Sequence, residues 1–195
     1  MIEIIRGMLS FSEISVSDEE LSARLGRKVS ADEESVKKAI ADISCVSNPT
    51  FVATRVKISE VKEDNVVFDG FSVFSASLSR YFSGASESFM FVATLGVEVD
   101  RLIAKKRALS VSDGFIYDAV ASAMIEAVCD ALEKRITAGE ETKNRFSPGY
   151  ADCPISAQKD FFKILRADKY IGVKLLDSML MSPMKSVSAF IAIKG

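Results

Sequence analysis

Residues 113–136, DGFIYDAVASAMIEAVCDALEKRI, constrain the fold most. Ile116, Val120, Met124, Val128, Ala131 and Leu132 recur at three- and four-residue steps, while Ser122, Glu126, Asp130 and Glu133 take the other side. At about 100° per residue this is one long helix with a single apolar stripe. Ser112 or Asp113 is placed to cap its start. Such a stripe needs a broad apolar surface to cover it, and the rest of the chain offers a sheet.

The period changes to two in 51–70, where FVATRVKISEV, a polar EDN turn and VVFDG read as a β-hairpin. SFMFVATLG (88–96) is an apolar run of strand length, and VEVDRLIAKKRA (97–108) reads as a helix. FSASLSRYF (74–82) reads as a short helix. SAQKDFFKILRA (156–167) reads as another, burying Phe161, Phe162, Ile164 and Leu165. VKLLDSMLM and SVSAFIAIK, joined by SPMK, read as a closing hairpin. Residues 1–48 read as helical. Ser17 with Glu20 and Ser30 with Glu33 have capping-box spacing, and Gly26 is placed to end the first of these helices. Strands joined by hairpins rather than by strict βαβ alternation predict an α+β fold, a curved antiparallel sheet flanked by helices.

Composition narrows the chemistry. The 195 residues suit one domain, and 48% hydrophobic with 27% charged residues is a globular balance. A net charge of −2 without a long Lys/Arg run argues against nucleic acid as a partner. No apolar run reaches the ~18 residues of a transmembrane helix, and MIEIIRGMLSFSEIS lacks the pattern of a signal peptide. The three cysteines, Cys45, Cys129 and Cys153, are far apart and odd in number, which fits reduced thiols in a cytoplasm. There is no histidine, which excludes Ser-His-Asp and Cys-His catalysis and any histidine-ligated metal by this chain. TLGVEVD (94–100) has too few glycines for a dinucleotide fingerprint, and no general base is evident, so a self-sufficient enzyme is disfavoured. Met179, Met181 and Met184 read as core filler. Lys105, Lys106 and Arg107 read as a solvated helix end, and Cys153 as structural.

The segment NRFSPGYADCP, 144–154, breaks the pattern and holds two of the four prolines. Pro148 fixes φ and Gly149 can take positive φ, which makes a tight turn whose backbone a ligand can approach closely. Arg145 offers a two-pronged grip on a carboxylate, and Tyr150 an aromatic face and a hydroxyl. The set suits a small zwitterion bearing a flat ring. A surface loop in which Arg145 pairs with a glutamate of nearby GEETK accounts for the same residues.

RFSPGYADCP resembles the RPAPGYPACP signature of the activation domain of cobalamin-dependent methionine synthase. GVKLLDSMLMSPMKSVSAF resembles that family's GMKLTESFAMWPGASVSGW stretch, with Lys174, Leu175, Ser178, Met181, Pro183, Ser186, Val187 and Ser188 in register. IEAVCDALEKRI resembles its AEAFAEYLHERV helix and brings Glu126 onto a family glutamate. The likeness spans roughly 90–195. The helical reading of the N-terminus makes 1–49 an N-terminal helical extension packed on the main domain, and the likeness makes 50–195 an activation domain-like body. The likeness implies S-adenosylmethionine as ligand, with Arg145 on its carboxylate, Glu126 facing its amino group or a ribose hydroxyl, and Phe146, Ser147, Gly149 and Tyr150 around its adenosine. It implies partners: the cobalamin-binding domain of a methionine synthase or another corrinoid protein, which supplies the cobalamin, and a flavodoxin-type reductant. Some positions depart from the family: Ser147 replaces an alanine, Ile155 and Ser156 stand where a histidine follows the ACP, and Ser182 replaces a tryptophan. The chain ends at Gly195, before the family's tyrosine-containing strand. That ending motivates a second reading, a docking module for a corrinoid protein that binds no S-adenosylmethionine.

Overall fold

A computed structural model describes residues 3–194. The chain opens with strand β1 (Ile5–Met8), a 3₁₀ turn and helices α1 (Asp18–Leu25) and α2 (Glu34–Val46). Strands β2 (Thr50–Val61), β3 (Asn65–Phe68) and β4 (Phe71–Phe74) follow, then α3 (Ala76–Phe82) and β5 (Glu87–Thr94). Helices α4 (Val97–Leu109) and α5 (Val111–Thr137) precede the long loop. The chain finishes with α6 (Gln158–Leu165), α7 (Ala167–Tyr170), β6 (Lys174–Leu175), β7 (Met181–Ser182) and β8 (Ser186–Ile193).

The main sheet is antiparallel, in the order β4-β3-β2-β5-β8, and β1 also pairs with β2. One edge of the long β2 serves two partners in succession, β1 along Thr50–Ala53 and β3 along Ile58–Val61. The register shifts between Ile58 and Glu60, a bulge that bends the strand and curls the sheet. Both faces are covered. On β5, Phe89, Phe91 and Ala93 join one core while Met90 and Val92 join the other. On β8, Ala189, Ile191 and Ile193 alternate in the same way with Phe190 and Ala192. Double coverage is why these strands read as continuous apolar runs. The first core is closed by α1, α2, α4 and α5. The second is closed by α3, α6 and α7 and is rich in phenylalanine. There Phe190 stacks on Phe68 at 5.2 Å and meets Phe161 edge-on at 4.6 Å.

The α+β class, the hairpin over β2 and β3, the strand β5 and helices α3 to α6 agree with the sequence reading. Other points correct it. Residues 5–8 are a strand, because the open edge of β2 offers four residues of pairing that outweigh local preference. Gly7 allows the close approach: a Cβ there would lie 3.2 Å from the Phe51 ring. The cap of α5 is Ser110, whose hydroxyl accepts from the Asp113 N–H, so the helix starts before the expected serine. Ser17 caps α1 and Gly26 closes it at φ 66°, but Ser30 turns onto the Asp32 N–H and α2 begins after Glu33. The closing hairpin lies wholly within 174–182. Met179, at φ 66°, reverses the chain there with its N–H on the Leu176 carbonyl. β8 then pairs with β5 over eight residues. Met184 is exposed rather than core, and Lys106 is an anchor, not a solvated end, since it pairs with Asp42 at 2.9 Å. Of the expected buried side of α6, only Phe161 and Leu165 are fully buried.

Candidate functional site

The site follows from how the chain leaves α5. Ala138, in the left-handed region at φ 46°, ends the helix, and the chain then runs beside the outer edge of β8. Lys143 donates its N–H to the Ala192 carbonyl, and Phe146 exchanges two backbone bonds with Phe190, at 3.0 and 2.9 Å. An edge strand left open would be a template for other chains, and this segment covers it. Side chains alternate along such extended backbone. The Phe146 ring is buried in the second core, and Arg145 turns to the opposite side, onto α5.

There Arg145 meets three carboxylates. Its Nη1 lies 2.6 Å from Asp130 and 3.2 Å from Glu133, and its Nη2 lies 3.2 Å from Glu126. These residues are four and three apart on α5, so they rise along one helix face. Only 19% of the Arg145 side chain is exposed. Arg24 reaches Glu126 as well and also pairs with Glu20, so four carboxylates share two guanidiniums and two negative charges are left uncompensated. Beneath them Cys129 is fully buried, and burial pushes its thiol pKa up, so it remains neutral.

Glu126, Asp130, Glu133, Asn144, Arg145, Ser147 and Val187 line a cleft of about 370 Å³. A second cavity of about 200 Å³ shares Glu126, Asp130 and Arg145 in its lining and is bounded also by Ser15, Ser17, Glu20 and Arg24. Arg24, on α1, contacts Glu126 at 3.4 Å and Glu20 at 2.7 Å.

The turn beside the cleft is held by hydrogen bonds. Gly149 takes φ 90°, its N–H bonds the Cys153 carbonyl, and the Tyr150 N–H bonds the Ser147 carbonyl. Asp152 ties the turn to α3, accepting from the Ser75 hydroxyl at 2.7 Å and from the N–H groups of Ala76 and Ser77 at 2.8 and 3.1 Å. Those bonds, Ser75 foremost and then Ser77, hold the Asp152 carboxyl below its usual range. Among the described residues, the Ser147 N–H and the carbonyls of Pro148 and Gly149 have no partner.

Of the residues singled out from sequence, Glu126, Arg145 and Ser147 come together in the cleft wall. Phe146, Gly149 and Tyr150 lie behind or beside it. Phe146 is committed to the core, while Tyr150 is 68% exposed with its ring edge-on to Phe146 at 5.6 Å. Arg145 does not pair with the GEETK glutamates: Glu140 pairs with Arg55 and Glu141 with Lys194. Asp130 and Glu133 escaped sequence reasoning, although their spacing from Glu126 was visible. Arg24 carried no signal. Among the described residues no group of metal-ligating side chains could hold an ion, and no helix is long and apolar enough to cross a membrane.

Comparison with known proteins adds two likenesses. The sequence profile of the family described as vitamin B12 dependent methionine synthase, activation domain, matches residues 83–194. The crystal structure of the MetH reactivation domain bound to AdoHcy superposes with a TM-score of 0.70 at 17% identity, over 98% of this chain and 78% of that one. That structural likeness reaches the residues before 83 and shows the fold. No curated protein matches the sequence.

Proposed function

This chain belongs to the vitamin B12 dependent methionine synthase activation domain family, and from that premise we propose that it binds S-adenosylmethionine and supports reductive methylation of a corrinoid protein's cobalamin. The observation that carries the reading is the cluster around Arg145, with three carboxylates converging on one guanidinium at the wall of a small polar cleft. The excess negative charge suits a ligand with two cationic centres, a sulfonium and an ammonium. Glu133 and Glu126 are partly buried, and carboxylates so placed attract such charges more strongly than fully water-exposed ones do. When bound, S-adenosylmethionine supplies an activated methyl group. The cobalamin and its holder come from a partner domain, and the electron from a flavodoxin-type reductant.

Each residue's role follows from what it has free. The Ser147 N–H and the carbonyls of Pro148 and Gly149 are a donor and acceptors for an adenine edge, and the exposed Tyr150 ring offers a face to stack on. Glu126 faces the ammonium or a ribose hydroxyl. Phe146 anchors the segment, and Gly149 gives the turn its positive φ. Residues 1–49 act as an extension of the same unit, since α1 and α2 join the core that α5 closes.

Side-by-side calorimetric titration with S-adenosylmethionine and S-adenosylhomocysteine tests this. The sulfonium compound is expected to bind about tenfold tighter, roughly 1.4 kcal/mol, with the gap narrowing as salt is added. No saturable binding of S-adenosylmethionine would sink the proposal.

One feature favours the docking reading: Leu109, Val111 and Phe115 form an exposed apolar corner between α4 and α5, of the kind a partner covers. Capture of a cobalamin-binding domain with and without S-adenosylmethionine separates the readings, because ligand-independent capture favours docking.

A further inference from the structure

A separate cavity of about 610 Å³ lies away from the cleft, among α6, α7 and β6, the helices being two of those that close the aromatic core. Its lining is Phe162, Lys163, Arg166, Asp168, Lys174 and Leu175. Three cations there face one carboxylate, a surplus of two positive charges in a chain whose net charge is −2. The other arginines of the chain each meet a carboxylate, apart from Arg80, which donates to the Ser77 hydroxyl, and Arg6, which lies over the Tyr170 ring. Among the described residues the Arg166 guanidinium has no such partner, and neither the Lys163 nor the Lys174 ammonium forms an ion pair. Arg166 ends α6 and opens α7 at φ 51°, a left-handed conformation that glycine takes freely and arginine resists. Lys163 and Arg166 stand three residues apart, where like charges on a helix repel. The partial negative charge at the end of α6 favours a cation in its last turn and accounts for Lys163. It does not account for Lys174, which arrives from β6 and completes the cluster. Unpaired cations gathered around a hollow repel one another, and an anion seated among them removes that repulsion.

We propose that this cavity binds a phosphate monoester carried on a ring-bearing body, with the size and charge of a nucleoside monophosphate. A phosphate monoester carries about −1.5 to −2 at neutral pH, which matches the surplus of two. The Arg166 fork takes two phosphate oxygens, and Lys163 and Lys174 add point charges. Phe162, partly buried against the aromatic core, and Leu175 offer an apolar wall for the ring. Asp168 is left to accept from a sugar hydroxyl. The volume lies within the ~300–1,000 Å³ usual for small-molecule sites. Its charge is opposite in sign to that of the cleft at Arg145, so the two sites take different ligands.

Calorimetric titration of the full chain tests this, as wild type, Arg166→Gly and Lys174→Gln, with adenosine and uridine monophosphates, the two nucleosides and inorganic phosphate. At least one monophosphate is expected to bind wild type about tenfold tighter than its nucleoside or inorganic phosphate does, and to weaken as salt is added. Arg166→Gly relieves the left-handed backbone, so the fold is kept while the fork is removed. It should weaken the monophosphate about tenfold, and Lys174→Gln several-fold. Monophosphate binding undiminished in Arg166→Gly, or none by wild type, overturns the proposal. Equal affinity for inorganic phosphate overturns the role given to Phe162 and Leu175. No residue of the Arg145 cleft enters the assignment, so it stands or falls apart from the S-adenosylmethionine reading.

Discussion

Arg145 and Phe146 are neighbours in the chain and end in opposite surroundings. Phe146 enters a core of stacked and edge-on aromatic rings, where Phe68, Phe82, Phe161 and Phe190 meet at 4.6–5.6 Å. Arg145 enters a cluster of three carboxylates on the other side of the same extended segment. The first environment is explained by folding alone, since it removes apolar area from water. The second is not. A partly buried guanidinium with its carboxylates roughly breaks even against an apolar replacement. A fold that needed only stability could have used leucine there. The difference separates the half of the molecule that holds the fold from the half that offers chemistry, and substitutions should divide along the same line.

The largest effect is expected in the aromatic core. Phe190→Ala removes the ring at the centre of that cluster and should cost about 3–5 kcal/mol in urea unfolding. The folded fraction should still bind S-adenosylmethionine, and a selective loss of affinity would break the division. Next comes Gly114→Ala, at the crossing of α4 and α5. A Cβ there would lie 2.6 Å from the Arg107 Cα, and forcing the helices apart should cost about 1–3 kcal/mol. Glu133→Gln should reverse the pattern. Stability should change by less than about 1 kcal/mol, because the guanidinium keeps Asp130 and Glu126 as partners, while S-adenosylmethionine affinity falls several-fold in calorimetry.

The smallest effect concerns Asp152 and appears only with pH. Its carboxyl is held low by the Ser75 and Ser77 bonds, so its contribution is full above its ordinary pKa of about 4. That contribution is lost as pH falls through the lower folded value. Asp152→Asn should therefore melt slightly below wild type near neutrality, and thermal melts of the two should converge on acidification.

How much of this was legible varies by element. The apolar runs of β5 and β8 and the stripe of α5 could be read because burial on two faces, or on one helix face, writes a period into the sequence. β1 could not, since four residues with no turn signal beside them show no period and it exists only by pairing with β2, whereas β4 was signalled by the Asp69-Gly70 turn that follows β3 and went unread. Ser30 has a capping serine's spacing, yet its hydroxyl serves a tighter turn. In the site, Glu126, Arg145 and Ser147 came from a local signature. Asp130 and Glu133 were visible as a polar helix face, which looks the same whether it faces water or a buried guanidinium. Arg24 meets Glu126 across 102 residues, and no local pattern carries such a contact.

The most direct test of the division is a backbone-amide NMR titration of the full chain with S-adenosylmethionine. The account predicts saturable shifts centred on Glu126, Asp130, Arg145, Ser147 and Val187, with Phe161 and Phe190 left where they were. Shifts gathered on α6 and the aromatic core, or none that saturate, would contradict it.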